Sequence, residues 1–294
     1  MADNIKREEW VPTRLRRGPL RNAGARLKKT FETLRLLGAR HRSLPHFMII
    51  GTQKGGTSTL YEFLKNHPRI VPATKKEVHY FDLNYEKGEV WYRSHFPRSR
   101  QLEGGKQTGE GSPYYLFHPH VPGRIRELVP EIRLIALLRN PVHRAISHYF
   151  HVMQRWGDPW EMEKAFHEEE QRISRERTRL EQDPTYTSEV YQRYSYKARG
   201  IYVDQIARYL NYFNRNQLLV LSSEQMFSSP EPAYRKVLDF LKLPSINIPA
   251  VNPRNIGQYK EEVPESLVQY LRDFFAPHNQ RLFELLGEDF GWEG

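Results

Sequence analysis

The sequence contains no cysteine. That absence excludes disulfides, thiolate nucleophiles and thiolate metal ligands together, and nothing in the chain calls for an oxidising compartment. No run approaches the roughly 20 apolar residues of a membrane span, and the first residues lack the apolar stretch of a secretory signal. The expectation is therefore a soluble, cytoplasmic protein without a membrane span. Internal repeats and low-complexity tracts are absent, and no cluster of ligand-type residues calls for a metal.

What is present suits a globular enzyme. The 294 residues are 38% hydrophobic, enough for a sizeable core. The formal charge of +10 is unevenly placed, because residues 1–45 hold 12 Lys and Arg against 4 Asp and Glu. This extension is either a solvated, partly helical tail or a holder of an acidic polymer, an anionic membrane surface or nucleic acid. Leu27, Phe31 and Leu34 recur at helical spacing beside Lys28, Lys29 and Arg35, which predicts a basic amphipathic helix lying on the main domain. The division is an extension over 1–45 and one domain over 46–294.

Three apolar runs of strand length, 46–50, 132–138 and 217–221, are each followed by a polar turn and a helical pattern, at 57–65, 142–153 and 233–243. Alternation of this kind predicts an α/β fold with a P-loop-like parallel sheet flanked by helices on both faces. Residues 223–243 and 264–287 supply further helices. Residues 161–181, dense in both charge signs, read as a solvated surface helix. Tyr186, Tyr191, Tyr194, Tyr196 and Tyr202 then crowd together with Arg193, Lys197 and Arg199. That mixture suits a sugar or other polar ligand, or simply packing.

The most informative stretch is FMIIGTQKGGTSTLYEFL, where a strand ends at Gly51 and a helix opens near Thr57. Gly51, Gly55 and Gly56 permit a turn whose N–H groups face an anion, and the new helix adds the positive end of its dipole. A Walker A loop would place Lys-Ser/Thr after the last Gly. Here Thr57-Ser58 stands there and Lys54 comes earlier, which disfavours a triphosphate with bound magnesium.

Three blocks together resemble the PAPS-dependent sulfotransferases, in particular the branch of the heparan sulfate glucosaminyl 3-O-sulfotransferases and N-sulfotransferases. They are Gly51 to Ser58, KKEVHYFD from Lys75 to Asp82, and LLRNPVHRAISHY from Leu137 to Tyr149, with further likeness in Gly109 to Tyr114 and in the C-terminal FFAPHNQRLFELLGEDFGW. The likeness spans roughly residues 45–292 and implies a single sulfotransferase domain. It implies that Lys54, Gly55, Gly56, Thr57 and Ser58 bind the 5'-phosphosulfate of PAPS and that Arg139 and Ser147 bind the 3'-phosphate. A guanidinium offers paired donors to phosphate oxygens, and a hydroxyl eight residues on can converge with it near the strand's end. By the same resemblance Lys54 neutralises charge on the departing oxygen, Glu77 is the general base, and His79 competes for that role or orients the acceptor. Ser112, Tyr114, Tyr196 and Arg199 are the candidate acceptor contacts. PAP is the product, and no metal is implied.

The chain also departs from that pattern. Gly111 stands where the 3-O-sulfotransferases have a Lys that engages the anionic sugar chain. The late donor-contacting loop reads Asn252 to Lys260 without cysteine, where Gly257 and Tyr259 keep the family's look and Arg254 or Lys260 stands in for its Lys. With no anchor visible, a soluble bacterial-type member is expected. The reading is transfer of a sulfuryl group to a hydroxyl, or less readily an amine, of a carbohydrate, polyanionic acceptors such as glycosaminoglycans included; no nucleic acid partner is expected. Sulfation of a small molecule or of a carrier-bound acyl hydroxyl is the alternative in the same chemistry. A kinase-like P-loop protein or a non-catalytic PAP-binding module is the alternative outside it.

Overall fold

The computed structural model describes residues 33–248 and 262–292. Four parallel strands, β1 (Phe47–Gly51), β2 (Gly109–Glu110), β3 (Arg133–Leu138) and β4 (Leu218–Ser222), form one sheet in the order β2-β1-β3-β4. Alternate side chains leave opposite faces. Met48, Ile50, Leu134, Ala136 and Leu138 join one core, and Phe47, Ile49, Ile135 and Leu137 join another. Every residue of β1 is buried, as expected for a strand covered on both sides. Each fully buried Leu, Ile, Phe or Met side chain contributes about 1.5–3 kcal/mol to folding.

The helices are α1 (Thr57–Lys65), α2 (Tyr80–Leu83), α3 (Gly88–Arg93), α4 (Val121–Leu128), α5 (Pro141–Arg155), α6 (Met162–His167), α7 (Glu169–Gln182), α8 (Glu189–Tyr194), α9 (Tyr202–Leu210), α10 (Ser223–Ser228), α11 (Pro230–Leu241) and α12 (Glu265–Leu286). One face of the sheet is covered by α4, α9 and the end of α12, through Ile125, Ile206 and Leu282. The other is covered by α1 and α11, through Leu60, Leu64, Val237 and Leu238. The α/β sheet expected from the apolar runs is present, with the short edge strand β2 added.

One expectation is corrected, and another lies largely outside the described residues. The charged stretch predicted as one solvated helix is divided into α6 and α7 at Glu168, and Glu169 is buried, accepting hydrogen bonds from the backbone of Lys197 (2.5 Å) and Ala198 (2.8 Å). Of the proposed amphipathic segment, Leu27, Lys28, Lys29 and Phe31 lie outside the described residues, and Leu34 is 61% exposed. Contact between residues 33–45 and the domain runs instead through Arg35 and Arg42, which donate to the carbonyls of Ser94 and Phe96, and through buried Ala39.

β2 and β3 leave β1 on opposite sides, so β1 and β3 flank the point where the strand order reverses. In open parallel sheets the carboxyl ends of such strands border a crevice. Two backbone devices set its walls. After β3, Asn140 Oδ1 accepts from the N–H of Val142 (3.0 Å) and of His143 (3.4 Å), and Pro141 begins α5, so the chain turns sharply just beyond Arg139.

At the end of β2, the fully buried carboxylate of Glu110 accepts four hydrogen bonds. They come from Val78 N–H (3.1 Å), Ser112 Oγ (2.7 Å), Tyr92 OH (2.7 Å) and Tyr115 OH (3.0 Å). Replacing Glu110 by Ala strands these buried donors, and the expected loss is about 3–5 kcal/mol of unfolding free energy, measurable by urea denaturation. A loss under about 1 kcal/mol would show that water or relaxation satisfies the donors.

Candidate active site

A cleft of about 1240 Å³ opens beyond β1 and β3, lined by the turn after β1, the loop before α2, the start and outer face of α5, and α10. The turn is the first wall. Gly56 has φ 88°, in the left-handed region, and α1 follows it without a side-chain cap. The Thr59 N–H is spent on Gly56 O (3.0 Å), and no side-chain cap takes those of Thr57 and Ser58, which can meet an anion. Lys54, also in a left-handed conformation, lines the cleft, and its carbonyl accepts from Arg139 Nη1 at 3.2 Å. Burial, followed by the nearby Arg139 charge, pulls the Lys54 ammonium below its ordinary pKa. Gly56, Thr57 and Ser58 also line the cleft, whereas Gly55 is buried behind it and its N–H is spent on Thr52 O.

The second wall is the Lys75–Asp82 loop, bolted to the Glu110–Tyr115 segment. Besides the Val78–Glu110 bond, His79 N–H donates to Ser112 Oγ (3.1 Å), Tyr80 N–H to Tyr115 OH (2.9 Å), and Gly111 N–H to Lys76 O (2.9 Å). Glu77 and His79 meet through a turn, in which His79 has φ 55°. The imidazole spans two carboxylates, with Nδ1 2.8 Å from Asp82 Oδ2 and Nε2 3.3 Å from Glu77 Oε2. Burial would lower the His79 pKa, yet Asp82 and Glu77 overcome it and raise it to about 10. Burial likewise pushes the Glu77 carboxyl up, but His79 and Lys76 outweigh it and bring it down to about 2. Glu77 is thus ionised and His79 protonated at neutral pH.

The third wall is α5 and what packs on it. Arg139, His143, His148 and His151 line the cleft, and all three histidines are held below the ordinary imidazole pKa, by burial first and by neighbouring cations second. Ser147 lies between His143 and His151 on the same helix face but is only 1% exposed and does not line the cleft. Tyr114 and Arg199 do line it, the guanidinium lying 4.6 Å from the Tyr114 ring centroid and donating to Gln53 Oε1 at 2.7 Å. Farther out, Trp156 is 48% exposed between Arg155 and Arg193.

Two of the expected acceptor contacts do not reach the cleft. Tyr196 is fully buried in the core around α5, with its hydroxyl on Asp158 Oδ2 at 2.6 Å. Ser112 is fully buried beneath the loop, where it holds His79 in place. The tyrosine cluster is largely packing: Tyr191 stacks on Phe117 and Tyr202 OH donates to Arg139 O. Gly257, Tyr259, Arg254 and Lys260 lie outside the described residues. Asp82, Glu110 and Lys76 were passed over by sequence reasoning, although all three sit inside quoted motifs. Their signal was a carboxylate three residues after a histidine, an acid between two glycines within a quoted motif, and a second lysine beside the base. Among the described residues no group of three or more His, Asp or Glu is placed to hold a metal ion.

Comparison with known proteins agrees with this architecture. A family model described as the sulfotransferase domain matches residues 44–273. Human heparan sulfate glucosamine 3-O-sulfotransferase 6 is 33% identical, the alignment covering 87% of this chain and 75% of the relative. The membrane-associated sulfotransferase kil1 of Dictyostelium discoideum is 28% identical, covering 85% and 67%. The crystal structure of a sulfotransferase from Alicyclobacillus acidocaldarius superposes with a TM-score of 0.69 at 29% identity, covering 85% of this chain and 99% of that one. The turn after β1, the loop facing it and the guanidinium beyond β3 thus belong to a matched domain, and the chain is a member of the sulfotransferase family, enzymes that use PAPS as donor.

Proposed function

We propose that this sulfotransferase moves the sulfuryl group of PAPS to a hydroxyl of a carbohydrate acceptor, with Glu77 as general base. The observation that supports the reading most is the Glu77 carboxylate, held ionised on the wall facing the uncapped start of α1. PAPS carries phosphate at both ends of its ribose, and the cleft has cationic donors to match. Lys54 and the N–H groups of Gly56, Thr57 and Ser58 suit the 5'-phosphosulfate, while Arg139, with His143 beside it, suits the 3'-phosphate. Phe227, half-exposed on the same wall as Gly56, offers a face to the adenine.

PAPS supplies an activated sulfur whose leaving group is a stable phosphate. The chain's residues supply position and charge. Glu77 takes the proton of the acceptor hydroxyl as that oxygen bonds to sulfur, and Lys54 offsets the negative charge on the phosphate oxygen released as its bond to sulfur breaks. His79 is a poor base here because Asp82 and Glu77 keep it protonated; as a cation with both ring nitrogens on carboxylates it fixes the Glu77 carboxylate in place.

For the acceptor, exposed Trp156 flanked by Arg155 and Arg193 at the cleft rim suits a sugar ring bearing carboxylate or sulfate. Tyr114 and Arg199 extend that lining inward. Heparan sulfate glucosamine 3-O-sulfotransferases are among its relatives and act, by name, on heparan sulfate glucosamine, which supports a glycan for this chain.

Glu77→Gln should lower kcat by about 10²- to 10⁴-fold while leaving PAP affinity nearly unchanged, and Lys54→Ala should lower kcat by about 10²- to 10³-fold. Full turnover in either variant would remove this mechanism. The pH dependence has a definite sign. His79, raised to about 10, keeps its proton at neutral pH, so its contribution should be lost as pH rises through about 10, and Lys54, drawn below its ordinary pKa, loses its proton on the same basic limb. Asp82→Asn should move that basic limb toward neutrality, read from kcat against pH; an unmoved limb would take His79 out of the account.

A further inference from the structure

Lys76 is used by none of the steps above, yet its ammonium is the point where the two reactive walls meet. It lies 3.0 Å from Glu77 Oε1, 3.1 Å from Thr57 Oγ1 and 3.0 Å from Ser58 Oγ. One side of this contact is the base and the other is the first turn of α1. In-line transfer requires sulfur to lie between the acceptor oxygen, held by the base, and the phosphate oxygen, held by the turn. The Lys76 ammonium therefore stands beside the space the transferring sulfonate must cross.

The local structure is arranged around this side chain. A cation at the positive end of a helix is unfavourable unless an anion joins it. Lys76 is largely buried there, and desolvation draws its pKa down despite the Glu77 charge. Its stem passes over Gly111, where an ideal Cβ would stand 3.3 Å from Lys76 Cε. The missing side chain at Gly111 leaves room for the lysine, and the Gly111 N–H fixes the lysine's own carbonyl at 2.9 Å.

We infer that Lys76 contacts the sulfonate of the donor and, in doing so, releases Glu77 to the acceptor. In the structure the ammonium occupies Oε1 of Glu77 while His79 occupies Oε2. When a sulfonate enters between the walls, the ammonium exchanges Glu77 for sulfonate oxygens, and Oε1 turns to the acceptor hydroxyl. No bond to Lys76 is made or broken and its proton stays in place. The base is thus neutralised until the group to be transferred has arrived, which favours donor binding before acceptor activation.

This inference rests on the PAPS reading, and one titration separates the two. PAP and PAPS, which differ only in the sulfonate, are titrated by calorimetry into the wild-type protein, Lys76→Gln and Lys76→Arg. Expected is a loss of PAPS affinity of about tenfold or more in Lys76→Gln, with PAP affinity changed by less than about twofold. Lys76→Arg, which keeps a cation, should retain most of the PAPS affinity. Retained PAP binding also reports that the variant is folded. Equal loss for both ligands would make Lys76 a phosphate contact, and no loss for either would make it a partner of Glu77 only; each result overturns the inference. If the wild-type protein binds neither ligand, the donor reading itself falls.

Discussion

A buried carboxylate with four donors is the constraint on which the active site depends. Glu110 ends the edge strand β2, and its oxygens receive one backbone N–H from the reactive loop and three hydroxyls from around it. Burial raises its pKa and the four donors offset that in part, so the buried carboxylate depends on them for its stability. Through Ser112 and Tyr115 the same cluster reaches His79 and Tyr80, so the loop carrying Glu77 is set by the sheet edge rather than by its own short helix. A site built on such support holds its geometry before substrate arrives.

The reactive groups are then tuned by one another. Two carboxylates and two cations alternate along the loop wall, Asp82, His79, Glu77 and Lys76, each bonded to the next. The chain of contacts keeps Glu77 ionised and His79 protonated, whereas the histidines of α5, which face cations, are driven neutral. Histidines in one cleft thus carry different charge because one is braced by carboxylates and the others by Arg and Lys.

Much of this was legible in the sequence for identifiable reasons. Strand and helix positions followed from apolar runs bounded by Gly and Pro, and α1 begins at Thr57 as the turn chemistry requires. That Lys54, Arg139 and Glu77 share one cleft was legible because each sits beside a strand end or in a motif of fixed order. The contacts of Asp82, Glu110 and Lys76 were not, since they depend on how far two loops from different parts of the chain approach. Tyr196 and Ser112 misled in the same way: residue type suggested a ligand contact, but only packing decides which side of a loop faces the cleft. Tyr196 faces Asp158, and Ser112 faces Glu110. The charged stretch at Glu169 hid a buried carboxylate because its partners are backbone N–H groups, which carry no sequence signal.

The central claim is sulfuryl transfer from PAPS to a carbohydrate hydroxyl. Its most direct measurement is label transfer from sulfur-labelled PAPS to a panel of desulfated glycosaminoglycans, simple sugars, phenols and hydroxyacyl carriers. The account predicts label on a glycan, with PAP released in equal amount. Label confined to phenols or hydroxyacyl carriers, or PAP binding with transfer to none of the panel, would contradict it.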